Sequence, residues 1–361
     1  MPLTLLEIEN LRPFEKIALT PDTHLNLLVG CNASGKTSVL EALHILGTGR
    51  SFRTSQLDQL VRHTAPSLLV SGLYHESRIP EIRLAVQRKQ EKTQIHAGSD
   101  KQATAASLAR ILPLQIISPD NHFQFMSNAR YRRGVLDWGV FHVEPDFHHQ
   151  WARFQRALQQ RNAGLKQRLA PAACFAWDPE LLAAAEKLHQ YRIQFLATWN
   201  LRFKHYCQEL LGSDQAEIEF KQGWDPQLSL AQGLHKDRSR DLQKLTTHSG
   251  PQRADIGVFF FQQAARISAS HGQQKLLIMA LRLSQLELFT EITGRPCVVL
   301  VDDLAAELDP LHRHLVMKVF ARMSLQIFVT ANEAGIINTQ GWPSHKMFHV
   351  EQGKVQEINA Q

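Results

Sequence analysis

One octapeptide constrains this chain more than any other feature: Gly30-Cys31-Asn32-Ala33-Ser34-Gly35-Lys36-Thr37, a complete GxxxxGK[ST] phosphate loop. The apolar run Leu25-Asn26-Leu27-Leu28-Val29 precedes it, and Val39, Leu40, Leu43 and Leu46 follow at helical spacing until Gly47-Thr48-Gly49. A buried strand, a glycine-rich turn and a helix are predicted in that order, which is the context the motif requires. The glycines let backbone N–H groups curl around an anion, Lys36 reaches β- and γ-phosphate oxygens, and the Thr37 hydroxyl ligates Mg²⁺. The pattern implies binding of ATP or GTP.

Far along the chain, Cys297–Val301 is an uninterrupted apolar run, as in a strand buried on both faces, and it ends in Asp302-Asp303. Such a pair places Asp302 to hold Mg²⁺ and Asp303 to orient or deprotonate an attacking water. Many strands end in acidic turns, so this reading depends on the phosphate loop. Ser270-His271-Gly272-Gln273 lies just ahead of a predicted helix over Gln274–Thr293. That turn offers a hydroxyl and free N–H groups to an anion, or it is simply a helix cap.

The 361 residues allow two or three domains, or one large α/β unit with an insertion. With 43% hydrophobic and 20% charged residues, neither disorder nor a fibrous chain fits. The net charge is +6, and residues 151–250 hold most of the surplus, with 14 basic against 10 acidic side chains. A bias of this size permits contact with a polyanion without requiring it. Four cysteines without a CxxC pair suggest neither zinc nor a disulfide framework, which fits a reducing compartment. The N-terminus has no leader pattern and no apolar stretch reaches 18 residues, so the expectation is a soluble, cytoplasmic protein away from membranes.

Strands are expected at 67–74, 81–87, 92–97 and 114–118, forming an antiparallel sheet beside the first βα unit. From about 130 to 250 the texture turns helical, with helices at 151–168, 179–211 and 237–245. A strand at 255–262, a helix capped by Asp309 ahead of Pro310, and a strand at 325–330 complete the pattern. The division read from this is 1–130 (ATPase lobe with the phosphate loop), 131–250 (helical lobe) and 251–361 (ATPase lobe resumed). The fold class is α/β: a split lobe with an antiparallel β subdomain, plus a mostly helical second lobe.

Arginines supply the remaining candidates. Arg50 and Arg53 flank Phe52 just after the phosphate-loop helix, which suits phosphate or DNA contact. Of Arg132 and Arg133, one is expected to pair with an acid such as Asp137 and the other to meet a partner or a phosphate. Arg153, Arg156, Arg161, Lys166 and Arg168 form a basic helical set that either lines a DNA path or is a solvated face. Eighteen histidines include no HExxH spacing.

Together these motifs resemble an ABC-type ATPase head of the SMC-like branch, in which the signature is Leu-Ser-Gly-Gly-Gln; here His271 stands for its first Gly. More narrowly, three stretches resemble the bacterial RecF family of recombination and replication-repair proteins. They are Pro119-Asp120 with Tyr131-Arg132-Arg133-Gly134-Val135-Leu136-Asp137, then Gly250-Pro251-Gln252-Arg253-Ala254-Asp255, then Asp302-Asp303-Leu304-Ala305-Ala306-Glu307-Leu308-Asp309. Ala33 replaces a usual Gly, Gln252 a His and Val135 an aromatic residue.

The resemblance implies ATP and Mg²⁺ as cofactors. It implies nucleotide contacts from Gly30 to Ser38, from Arg12 in the Asn10–Phe14 turn, and from Ser270, Gly272, Gln273 and Asp309. Thr330 substitutes for the His that transporters use against the γ-phosphate. In such heads the signature Ser reaches the nucleotide of a partner chain, so a head-to-tail homodimer with two ATPs is implied. Double-stranded DNA, single-strand/double-strand junctions and recombination mediator proteins of the same pathway are the implied partners. The implied task is to mark gaps at stalled forks and help load recombinase during DNA repair. Hydrolysis is expected to be weak, because Asp303 is shorter than the usual Glu. Two other classes share the motifs: a transporter energy subunit, and a binding module that holds nucleotide without turnover.

Overall fold

The computed structural model describes residues 3–76 and 79–358. They form two compact units: one joins the residues up to Asn121 with those from Gly294 onward, and the other is His122–Thr293. The sequence reading returned the chain to the ATPase lobe at 251. The helix His271–Thr293 instead groups with the helical unit, because it packs along the 34-residue helix Asp178–Leu211.

The first unit is built on a six-stranded sheet ordered Lys354–Ile358, His345–Glu351, Leu25–Val29, Leu325–Ala331, Cys297–Val301, Leu114–Ile117. Every neighbouring pair is parallel except the outer hairpin made by the two C-terminal strands. Leu25–Val29, Cys297–Val301 and Leu325–Ala331 are buried at every position, as strands covered on both faces must be. Three polar residues interrupt them, Asn26, Gln326 and Thr330, and all three are hydrogen-bonded. Gln326 accepts from the Leu3 N–H (3.0 Å) and donates to the carbonyls of Leu3 (2.8 Å) and Asp22 (2.8 Å). Asn26 accepts from the Asp22 N–H at 2.7 Å. These bonds tie the start of the chain to its last third, and a fully satisfied buried amide also fixes register.

A second, antiparallel sheet orders Phe14–Leu19, Leu3–Leu11, Ser67–Glu76, Ile79–Lys89 and Lys92–Ala97. The expected strand at 114–118 is not part of it. Leu114–Ile117 pairs in parallel with Cys297–Val301 at the edge of the other sheet. Its run Leu-Gln-Ile-Ile suits a parallel edge, and the long stretch of chain between Ile117 and Cys297 supplies the crossover that a parallel pair needs. The phosphate-loop helix, Lys36–Thr48, buries Val39, Leu40, Leu43 and Leu46 completely and closes on Gly49, whose N–H donates to the Ile45 carbonyl at 2.7 Å.

In the second unit, Phe147–Lys166 and His271–Thr293 pack on Asp178–Leu211. The unit also holds a small sheet of Ala216–Lys221, Asp255–Phe260 and Gln263–Ala264. The strand Ala216–Lys221 lies inside the stretch expected to be helical, and its alternation of buried Ala216 and Ile218 with exposed Glu217 and Glu219 is a strand pattern.

Candidate functional site

The C-terminal ends of the parallel strands define a cleft of about 510 Å³ in the first unit. Its lining includes Arg12, residues 32–38, Arg53, Asp302, Asp303, Thr330 and Asn332. Ligands in open parallel sheets bind at this edge because the loops that leave the strands converge there.

The phosphate loop owes its shape to close contacts. A Cβ on Gly30 would come within 2.2 Å of the Val350 carbonyl oxygen, and one on Gly35 within 2.9 Å of the Phe14 ring, at φ 115°. Ala33 also lies in the left-handed region, at φ 63°. An L-residue there costs roughly 1–2 kcal/mol, part of which the stiffer unfolded chain offsets. Ala33→Gly is therefore expected to raise stability in urea denaturation by about 0.5–1 kcal/mol. A variant less stable than the wild type would contradict this account of the loop.

The Lys36 ammonium donates to the carbonyls of Gly30 (2.6 Å) and Cys31 (2.8 Å) and to Oδ1 of Asn332 (3.1 Å). Burial pulls its pKa below the ordinary lysine value, while the nearby carboxylates of Asp303 and Asp302 act in the opposite sense. Thr37 donates to Asp302 Oδ1 at 3.1 Å. Thr330 donates to the same oxygen at 2.8 Å and accepts from the Asp303 N–H at 2.8 Å. Burial pushes the Asp302 carboxyl upward, and the two threonine hydroxyls work against that shift. Asp303 itself sits at φ 51°, a conformation Asp tolerates better than most residues.

These atoms fit a phosphate and a hard cation. The Ser34 hydroxyl oxygen is shut off from solvent with no hydrogen-bond partner, an orphan beside a lysine and the start of a helix. Thr37 and Asp302 present adjacent oxygens of the type Mg²⁺ prefers.

Thr330 holds the acidic pair in place and is almost fully buried, so its hydroxyl does not stand free as a switch. Asn332, two residues further on, meets Lys36, and the sequence reading missed it. The signal was available: a polar side chain just past a fully buried parallel strand, at the edge where ligands collect. Arg12 and Arg53 line the cleft. Arg50 lies outside it and lines, with Arg53, Phe52 and Arg88, a neighbouring pocket of about 530 Å³.

Several expected residues belong elsewhere. Asp309 caps the helix Pro310–Ala321 by accepting from the His312 N–H at 3.0 Å, and it does not line the cleft. Ser270 is exposed in the second unit as the N-cap of its helix. Its hydroxyl accepts from the Gln273 N–H (3.3 Å) and its N–H donates to the Gln273 amide (2.9 Å).

Arg132 and Arg133, expected to split between an acid and a phosphate or partner, both bond within the second unit. Arg132 forms a two-pronged pair with Asp255 (2.8 and 2.7 Å) and donates to the Phe125 carbonyl at 2.7 Å. Arg133 donates to the Ala254 carbonyl at 2.9 Å, and burial lowers its pKa. Asp137 pairs with Arg192 (2.8 and 2.9 Å), which also donates to the Pro251 carbonyl at 2.9 Å. The Arg-Arg…Asp stretch and the Gly-Pro-Gln-Arg-Ala-Asp stretch are thus two sides of one internal clamp. Arg161 is likewise fully buried and lines no surface path.

The family model described as RecF/RecN/SMC N terminal domain matches residues 2–356. A protein of Pseudomonas syringae pv. syringae named DNA replication and repair protein RecF is 37% identical over 365 residues, covering 99% of both chains. The chain belongs to the RecF family. A RecF of Azotobacter vinelandii is 38% identical, over 99% of this chain and 98% of its own. A solved structure described as the recombination mediator protein RecF with ATP in the RecFOR pathway superposes with a TM-score of 0.86 at 23% identity, over 99% of this chain and 98% of that one. An Smc head bound to part of ScpA gives 0.61 at 14%, over 99% and 97%. The RecF fold, an SMC-type ABC ATPase head, is therefore shared over the full described length.

Proposed function

We infer that this RecF-family chain is an ATP-dependent DNA-binding protein of replication and recombinational repair. Its relatives carry the name DNA replication and repair protein, and its structural neighbours are described as recombination mediators with ATP. In this reading ATP binding joins two chains on double-stranded DNA at gaps and single-strand/double-strand junctions. The dimer helps load recombinase with mediator proteins of its pathway, and weak hydrolysis releases it. One observation carries the reading: Lys36, Thr37 and Asp302 converge beside the orphaned Ser34 hydroxyl, an arrangement built for a phosphate and its cation. In this reading the exposed signature turn at Ser270 of a second copy completes the site.

Bound Mg²⁺ would neutralise charge on the phosphate oxygens as the terminal bond breaks. Thr37 Oγ1 and Asp302 would hold it, and Lys36 and the loop N–H groups would hold the phosphates. Asp303 would accept the proton of the attacking water, and its short side chain accounts for weak turnover. Arg50 and Arg53 are the proposed DNA contacts on the first unit, touching phosphates, so affinity should fall with salt. Among the described residues no helix is long and apolar enough to cross a membrane, in keeping with a cytoplasmic place of action.

Sedimentation velocity tests the reading. Wild type should be monomeric alone and dimeric with ATP and Mg²⁺, more so with duplex DNA. Ser270→Arg should bind ATP yet stay monomeric, because a long cation replaces the hydroxyl at the interface. A dimer that ignores ATP, or one indifferent to Ser270→Arg, would refute the sandwich.

A further inference from the structure

Glu41 lies five residues beyond Lys36 on the phosphate-loop helix and is completely buried. Burying a carboxylate at a helix position that an apolar side chain could fill costs stability, so its partners must account for it. Oε1 accepts a short hydrogen bond from the Ser51 hydroxyl. Oε2 lies 3.4 Å from Nη1 of Arg12, closed to solvent and without a hydrogen-bond partner. The Ser51 oxygen in turn accepts from the N–H groups of Arg53 (3.0 Å) and Thr54 (3.1 Å). With one proton given and two bonds accepted, that hydroxyl is saturated.

Glu41 is therefore joined to both arginines of the cleft, to Arg12 by charge and to Arg53 through Ser51. We propose that Glu41 is a positioning residue for nucleotide binding, a role that rests on the ATP reading above. The backbone of Arg12 is already fixed at φ 49°, with its N–H donating to the Leu60 carbonyl at 2.8 Å. Only its long side chain is left to order, and a fixed anion lowers the entropy lost when phosphates engage it. Because Oε2 is closed to solvent, it orders the guanidinium from behind and does not face the phosphates itself. Glu41→Gln keeps the acceptor for Ser51 but turns an NH₂ toward Arg12, and two donors repel.

Titration of the full chain with a fluorescent ATP analogue, alongside nucleotide-free melting, tests this. Glu41→Gln should bind about tenfold more weakly while melting near the wild type, and Arg12→Ala should lose a similar amount. The double variant should bind no more weakly than Arg12→Ala alone, because both changes remove one interaction. Ser51→Ala should also weaken binding, multiplying with Arg12→Ala but not with Arg53→Ala. Should Glu41→Gln fail to fold, the Ser51 and Arg53 cycle decides the matter. Wild-type or tighter affinity in Glu41→Gln, or losses that multiply with Arg12→Ala, overturns the proposal. Lys36→Ala is the reference: if it binds as wild type does, the ATP reading fails, and if it alone loses binding, only the role of Glu41 fails.

Discussion

Lys36→Ala is expected to lower affinity for ATP by roughly 100-fold or more, since hydrogen bonds to charged groups contribute about 1.5–3 kcal/mol each and the ammonium serves two phosphates. In the free chain its three protons are already directed to Gly30, Cys31 and Asn332, so binding exchanges part of an existing set and the loss stays below the full sum. Of the three acceptors left behind, those of Cys31 and Asn332 are only part-buried and can turn to water, and only the Gly30 carbonyl lies in a buried bond, so the melting temperature should move by only a few degrees. Loss of nucleotide binding with retained folding, read by titration and circular dichroism, should bring loss of ATP-dependent dimers. Affinity within tenfold of wild type, or dimers that persist, would remove Lys36 from the centre of the site.

The largest effect on stability is expected in the second unit. Arg161 is fully buried and donates to Asp178, Asp241 and Thr247, each at 2.8 Å, with the ring of Phe175 4.9 Å from its guanidinium carbon. Asp241 is equally buried and also accepts from the His248 N–H at 3.0 Å. Arg161→Ala leaves the fully buried Asp241 without its guanidinium and Asp178 with Arg238 alone, at a cost of about 3–5 kcal/mol. Urea denaturation followed by tryptophan fluorescence should show that loss. Arg161→Ala with Asp241→Ala should be less damaging than the two single changes added together, since the double variant removes both ends of the Arg161–Asp241 bond and leaves Asp178 to Arg238. A single variant within about 1 kcal/mol of wild type would mean that water reaches the network.

Elements whose signals are local were legible in the sequence. The strand–loop–helix around Lys36 and the apolar strand ending in Asp302 combine short-range periodicity with a motif of fixed geometry. The strand Leu114–Ile117 was legible as a strand but not as a member of a particular sheet, because a four-residue apolar run does not name its neighbour. The partners of Arg132 and Arg133 were hidden for a related reason. Adjacent arginines look alike whether they await a phosphate or an aspartate, and the one that Arg132 meets lies 123 positions away. Asn332 and Glu41 carry no motif; their importance comes from what the folded chain sets beside them.

The order of strands in the first sheet has a consequence for synthesis. Leu25–Val29, which delivers the phosphate loop, is flanked on one side by Leu325–Ala331 and on the other by His345–Glu351. A ribosome releases the middle strand early and its two neighbours near the end, so the nucleotide cleft has no walls during most of translation. His122–Thr293 is one compact unit of continuous chain and can form first. The apolar segment from Leu25 to Val29 must meanwhile wait exposed or chaperoned, and a message cut short before the final strands yields a chain carrying the whole phosphate-loop motif with no sheet to hold it.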